Sequence, residues 1–117
     1  ITQFFYNADS YLYLRDTLEK RGIDTVAQPL VAGIMPITNS SNLVRFADSC
    51  GADIPRYVRK RLADFGDDRT AIREFGFDVV YRLCERLISE GVPAMHFYSM
   101  NKVEPNKRLV EALGLIA

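Results

Sequence analysis

Strand-then-helix units repeated three times along the chain predict an α/β fold with a parallel sheet. Three observations lead there. Short runs rich in aromatic, aliphatic and β-branched residues occupy positions 1–6, 30–37 and 92–100. Each is followed by a segment whose apolar residues recur every three or four positions, the spacing of an amphipathic helix. Parallel neighbours need crossover connections, and helices supply them. No GxGxxG turn and no P-loop lysine motif occurs, either of which would favour an open nucleotide-binding sheet. The expectation is a partial (β/α)8 barrel: three C-terminal βα units, with an extended helical connection before the last strand, in one domain over residues 1–117.

The first strand is the run Ile1, Thr2, Gln3, Phe4, Phe5, Tyr6, short and rich in β-formers. Asn7, Asp9 and Ser10 then offer helix caps, and Tyr11, Leu14 and Leu18 form an apolar stripe that ends at Gly22. The second strand lies within 30–37, between Pro29 and the Pro36 to Asn39 turn. Asn39, Ser40 and Ser41 supply capping oxygens for a helix whose face is Leu43, Phe46, Ala47 and Cys50, with Gly51 as its stop. Pro55 suits a first helical position, opening a short helix with Tyr57, Val58, Leu62 and Phe65. After Gly66, Asp67 and Asp68 a long helix carries Ile72, Phe75, Val79, Leu83 and Leu87 on one stripe as far as Gly91. Residues 92–100 give the third strand, and Glu104 and Pro105 open a last helix with Leu109, Val110 and Leu113 inward.

Composition narrows the function classes. Hydrophobic residues make up 48% and charged residues 26% of the 117 residues, the range of ordinary globular domains. No apolar run approaches the roughly 20 residues of a membrane span, and no basic-then-apolar leader opens the chain, so a cytoplasmic protein with no membrane partner is expected. Fifteen basic residues balance fifteen acidic ones, which removes the electrostatic footprint of a nucleic-acid binder. The cluster Arg56, Arg59, Lys60 and Arg61 is read as a solvated helix face, because Asp64, Asp67 and Asp68 follow it. Cys50 and Cys84 have no partner at metal-ligand spacing, so no metal is expected, and both are read as buried free thiols. A chain opening on Ile1 within a strand reads as a cut through a larger protein.

Barrel enzymes build their sites at the C-terminal ends of the strands. Along the third strand, alternation puts His96, Tyr98 and Met100 on one face, and Asn101 and Lys102 follow at its C-terminal end. His96 itself is read as a hydrogen-bonded histidine inside the barrel. Gln3 interrupts an apolar strand, where a buried amide must satisfy both a donor and an acceptor. It is matched equally well by neighbouring strands or by the mixed edge of a heterocycle such as a pterin. Phe46 lies on an apolar helix stripe, where core packing accounts for it, although an aromatic near a helix start at a barrel mouth can also stack on a ring.

Three segments taken in order, Ile-Thr-Gln-Phe-Phe-Tyr at 1–6, Gly-Ile-Met-Pro-Ile-Thr-Asn at 33–39 and His-Phe-Tyr-Ser-Met-Asn at 96–101, resemble the last three strands of the methylenetetrahydrofolate reductase family. The similarity runs through essentially the whole chain. The resemblance implies a (β/α)8 flavoprotein in which NADH or NADPH reduces FAD and the flavin passes hydride to methylenetetrahydrofolate, giving 5-methyltetrahydrofolate. It implies that Gln3 is the catalytic position of this set, bonding the pterin and influencing nicotinamide binding. Phe46 is matched to an aromatic that folate and the nicotinamide cofactor contact in turn, and Asn42 to a folate-contacting glutamine. Tyr98, Met100 and Lys102 are matched to the folate-site lining.

Two departures stand out. Ala32 replaces a frequent proline, and Lys102 stands where an arginine is common, which keeps the charge but loses the bidentate fork. The FAD-anchoring and acidic residues are expected from missing N-terminal barrel strands, so this piece alone is expected to be inactive. Three βα units leave two open strand edges, and pairing into a homo-oligomer is expected. A non-catalytic scaffold or oligomerisation segment is the alternative from another class, and a different barrel enzyme is a third.

Overall fold

Strand and helix signals in the sequence become seven elements in a computed structural model that describes residues 1–99 and 103–115. In chain order these are α1 (Ala8–Lys20), β1 (Ala32–Ile34), α2 (Ser40–Cys50), α3 (Arg56–Phe65), α4 (Arg69–Ser89), β2 (Met95–Phe97) and α5 (Glu104–Ala112). β1 and β2 pair in parallel, Ala32 opposite Met95 and Ile34 opposite Phe97. Phe4 adds a single parallel bridge to Gly33. The fold is therefore α/β, with helices between the parallel segments.

The helix starts follow the capping chemistry. The side chains of Asn7, Asn39 and Asp68 accept from the backbone N–H groups of Asp9, Asn42 and Ala71 at 3.0 Å each, satisfying donors that the first turn leaves unpaired. Pro55, expected at the first helical position of α3, is instead its cap residue, and the helix begins at Arg56. On α4 the buried stripe is Ile72, Gly76, Val79, Val80, Leu83, Cys84 and Leu87, which packs that helix against the sheet layer and its neighbours.

The strands are shorter than expected, and the first reduces to its one bridge. Residues 1–6 pair on one side only among the described residues, through Thr2 N–H to the Val31 carbonyl at 2.9 Å and the Phe4 bridge. Side-chain oxygens also take ladder donors there. The Thr2 hydroxyl accepts from Gly33 N–H at 2.9 Å and the Gln3 amide oxygen from Phe4 N–H at 3.1 Å. Pro36 and Pro93 bracket what remains of the two named strands, since proline cannot donate to a ladder. Two three-residue strands and a bridge thus stand where three longer strands were expected, and a three-unit barrel segment is not drawn from them.

Several expected core positions lie at the surface. Leu14 is 38% and Tyr57 59% exposed, and Cys50 is exposed as well. On α1 the inward anchor is Tyr11, whose hydroxyl donates to the Leu30 carbonyl at 2.8 Å and whose ring stacks on Phe5. Cys50 sits in the last turn of α2, beyond Ala47, the last buried residue of that helix. The basic cluster on α3 is solvated as expected, with two members engaged locally. Arg59 pairs with Asp48 at 3.1 Å, and Arg61 lies over the rings of Phe65 and Phe75. Among the described residues no helix is long and apolar enough to cross a membrane.

Gly76 shows how closely α4 approaches the segment after β1. A Cβ built there would lie 2.6 Å from the Ile37 Cβ and 2.7 Å from the Ile37 carbonyl oxygen. Gly76→Ala gains about 1 kcal/mol of intrinsic helix preference but forces a backbone shift costing about 1–3 kcal/mol. We expect a net loss of stability, read as a lower urea midpoint; a raised midpoint would show that the contact yields freely. Cys84 is fully buried, and desolvation pushes its thiol up to about 12. In the native protein a thiol reagent at pH 8 should label Cys50 and spare Cys84, and denaturant should expose both.

Candidate functional site

Gly33 is where the three parallel segments come closest. A Cβ at this position would meet the Thr2 carbonyl oxygen at 2.5 Å and the Tyr98 ring at 3.0 Å, so glycine is the residue that lets both approach. Into that space the Tyr98 hydroxyl donates to the Thr2 carbonyl at 3.1 Å, crossing from the end of β2 to the start of the chain. Tyr6 makes a comparable tie, donating to the Met35 carbonyl at 3.0 Å. Burial without a compensating charge holds the Tyr6 phenol well above its ordinary range, so it remains a hydrogen-bond donor.

An aromatic cluster stands on this frame. Phe4 is buried, stacks on Phe46 of α2 at 5.7 Å between centroids and 10° between planes, and meets Tyr98 edge-on at 6.2 Å. Tyr98 also takes His96 edge-on at 5.1 Å. His96 is exposed, not enclosed as expected.

Beside the cluster a cavity of about 340 Å3 opens, lined by Met35, Pro36, Thr38 and Asn39 after β1, Asn42, Leu43 and Phe46 of α2, Arg69 and Arg73 of α4, Tyr98 and Ser99 after β2, and Pro105 and Asn106 of α5. It lies at the C-terminal ends of both strands and meets the first turns of three helices. Among the described residues its lining contains two guanidinium groups and no carboxylate. Asn106 donates from Nδ2 to the Tyr98 carbonyl at 3.4 Å, while its enclosed Oδ1 has no partner among the described residues.

Of the site residues expected from sequence, Asn42, Phe46 and Tyr98 meet at this cavity. Phe46 is 38% exposed; it is not a core residue, and its free part faces the space it lines. Met100 and Lys102 lie outside the described residues. Gln3 does not join the others. It is exposed and lines a separate cavity of about 250 Å3 with residues including Asn7, Ser10, Tyr11, Asp53 and Pro55. Strand alternation gives the reason: Phe4 points to the Phe46 and Tyr98 cluster, so its neighbour Gln3 points the other way. The buried amide expected of Gln3 is corrected to a solvated one whose oxygen caps the next backbone N–H. Its neighbour Thr2 still holds the Tyr98 hydroxyl, so the two cavities share one wall.

Comparison with known proteins gives this geometry a context. The family model for methylenetetrahydrofolate reductase matches residues 1–114. The chain belongs to the methylenetetrahydrofolate reductase family. It is 34% identical over 116 residues to methylenetetrahydrofolate reductase 1 of Schizosaccharomyces pombe, covering 99% of this chain and 19% of that protein. It is 31% identical over 115 residues to 5,10-methylenetetrahydrofolate reductase of Escherichia coli, covering 98% of this chain and 38% of that protein. To methylenetetrahydrofolate reductase (NADH) 1 of Arabidopsis thaliana it is 29% identical over 116 residues, covering 99% and 19%. The chain thus spans less than two fifths of the length of these relatives.

Within this family member, Arg69, Arg73, Ser99 and Asn106 are lining residues that the sequence reading passed over. A signal for the arginines existed. Two cations one turn apart directly after the Asp68 cap oppose both the helix dipole and each other, an arrangement that helix stability alone does not favour. Tyr98→Phe removes the tie between β2 and Thr2 while keeping the ring. We expect a loss of roughly 0.5–1.5 kcal/mol, the worth of one such hydrogen bond, measured by equilibrium unfolding; an unchanged midpoint would mean that water replaces the hydroxyl at no cost.

Proposed function

We propose that this chain forms part of the catalytic (β/α)8 barrel of a methylenetetrahydrofolate reductase, which uses NADH or NADPH and FAD to reduce 5,10-methylenetetrahydrofolate to 5-methyltetrahydrofolate. The observation that carries the reading is family membership over nearly the whole chain. The position of the cavity, at the C-terminal ends of parallel strands where barrel enzymes bind substrates, supports it. This chain supplies the folate side of the site, and the remaining strands would complete the barrel and cover the open edge beside residues 1–6.

The described residues make no seat for a flavin. The cavity holds about 340 Å3, at the low end of the roughly 300–1,000 Å3 typical of small-molecule pockets, and its lining has no glycine-rich turn to cradle a pyrophosphate. We assign FAD to segments of the longer protein outside this chain and derive no step through it here.

What the residues of this chain do is hold the substrate. Phe46, braced from behind by Phe4, offers a rigid aromatic surface on which a planar ring can stack. Asn42, on the first turn of α2, offers both an amide donor and an acceptor beside it. Tyr98, fixed by its hydrogen bond to Thr2, closes the wall; for Met100 and Lys102 the folate-lining role rests on the resemblance alone. Holding a ring at one distance and orientation is the geometric part of hydride transfer, the redox part belonging to the cofactor. The assignment of Gln3 to pterin and nicotinamide contacts rests on the resemblance of the segment at 1–6 alone.

In the full-length protein, Phe46→Ala should raise the KM for methylenetetrahydrofolate roughly tenfold, the loss of a stacking contact of about 1–1.5 kcal/mol, with flavin content unchanged. Gln3→Ala should impair folate reduction more than flavin binding. Equal loss of FAD from both variants would move these residues to the flavin side and remove the proposed division.

A further inference from the structure

Resting on the reading of the cavity as a folate site, we propose that Thr2 is a positioning residue of that site. Its hydroxyl fixes the backbone that carries Gln3 and Phe4, and through Phe4 it sets the plane of the Phe46 ring.

Three observations lead to this. Every polar group of Thr2 is engaged. Its N–H donates to the Val31 carbonyl at 2.9 Å, and its carbonyl accepts from the Tyr98 hydroxyl at 3.1 Å. Its hydroxyl accepts from Gly33 N–H and donates to the Gln3 carbonyl, both at 2.9 Å, so one side-chain oxygen joins β1 to the backbone of Gln3. The segment it holds has few other ties, since Phe4 adds only a single bridge to Gly33. Phe4, two residues on, is 2% exposed, stacks on Phe46 at 5.7 Å with 10° between planes, and meets Tyr98 edge-on at 6.2 Å. A shift of the backbone at Thr2 therefore reaches the Phe46 ring through one buried contact.

A β-branched residue in an extended segment needs no functional account when only its shape is used. At Thr2 the hydroxyl is used. Valine would fill the same space while offering Gly33 N–H no acceptor and the Gln3 carbonyl no donor. The stranded Gly33 donor would then have to find another partner by movement of the segment. Thr2 lines the smaller cavity with Gln3 and is absent from the lining of the cavity that holds Phe46, so its influence on the ring is one of placement and not of contact. Stacking depends on the distance and tilt between rings, and a misplacement of about 1 Å can cost on the order of a hundredfold in an enzyme site.

The test uses the full-length holoenzyme and reads the KM for methylenetetrahydrofolate. Thr2→Val should raise that KM roughly fivefold, within the range of one lost hydrogen bond, with flavin content unchanged. Thr2→Ser, which keeps the hydroxyl, should stay within about twofold of the unsubstituted enzyme. In a Phe46→Ala background, Thr2→Val should add less than about twofold, because the ring through which it acts is gone. Thr2→Ala is read in the same way should Thr2→Val fold poorly. Full additivity with Phe46→Ala, an equal loss in Thr2→Ser, no shift in the variants that lack the hydroxyl, or loss of flavin from them would each overturn the positioning role. If the unsubstituted enzyme fails to reduce methylenetetrahydrofolate, it is the reductase reading itself that falls.

Discussion

The missing side chain at Gly33 is the constraint on which the rest of the arrangement depends. With a Cβ there, the Thr2 carbonyl oxygen would be at 2.5 Å and the Tyr98 ring at 3.0 Å, so the segment at 1–6 would have to move away from β1 or Tyr98 would have to turn out. Either movement separates Phe4 from Phe46 and Tyr98, and the aromatic cluster that braces the cavity comes apart. A glycine in a strand interior ordinarily weakens it. Here that weakness is the condition for bringing three chain segments to one place.

Tyrosine hydroxyls supply much of the cohesion that a longer ladder would have given. Tyr6, Tyr11 and Tyr98 each donate to a backbone carbonyl far along the chain, on Met35, Leu30 and Thr2. Each ring is also packed among apolar or aromatic neighbours, so a polar tip and an apolar body are both used. Ion pairs play a lesser part. The contacts of Arg86 with Asp9 and of Arg108 with Glu74 join α4 to its flanking helices, but all four side chains are about half exposed or more, and such pairs contribute little. Hydrogen bonding to Arg108 lowers the Glu74 carboxyl below its usual value, which marks a formed contact and not a source of stability.

The helices were legible because caps and 3.6-residue periodicity are local properties. Asn7, Asn39 and Asp68 cap where their side chains and the following apolar residues predict, and the α4 stripe runs as expected from Ile72 to Leu87. The strands were legible in place but not in extent, because ladder length depends on neighbours that composition does not reveal. The site was half legible. Asn42, Phe46 and Tyr98 line one cavity, since Tyr98 directly follows β2 and the other two lie on α2, the helix after β1. Gln3 does not, because its facing is settled by which of two alternating residues pairs toward the aromatic cluster, and Phe4, being apolar, takes that side. Arg69 and Arg73 left only the signal of their spacing after the Asp68 cap: arginines are common on surface helices, and the tertiary position of the α4 N-terminus is what gives them a cavity to face.

The composition of that cavity suits the proposed role of holding a substrate. Its lining contains arginine, asparagine, hydroxyl and aromatic groups, with no carboxylate, histidine or cysteine among the described residues. Groups of the first kind orient a ligand and answer negative charge without exchanging a proton near neutral pH, whereas general acid or base work needs a group that titrates there. Phe46 makes the same point from the side of packing. Its partly exposed ring loses some of the burial free energy that an inward turn would have provided, and stacking on Phe4 holds it where that loss is sustained. A side chain held rigidly at a surface by a buried partner is pre-organised for contact with a planar group, and Arg69 and Arg73 line the same cavity beside it.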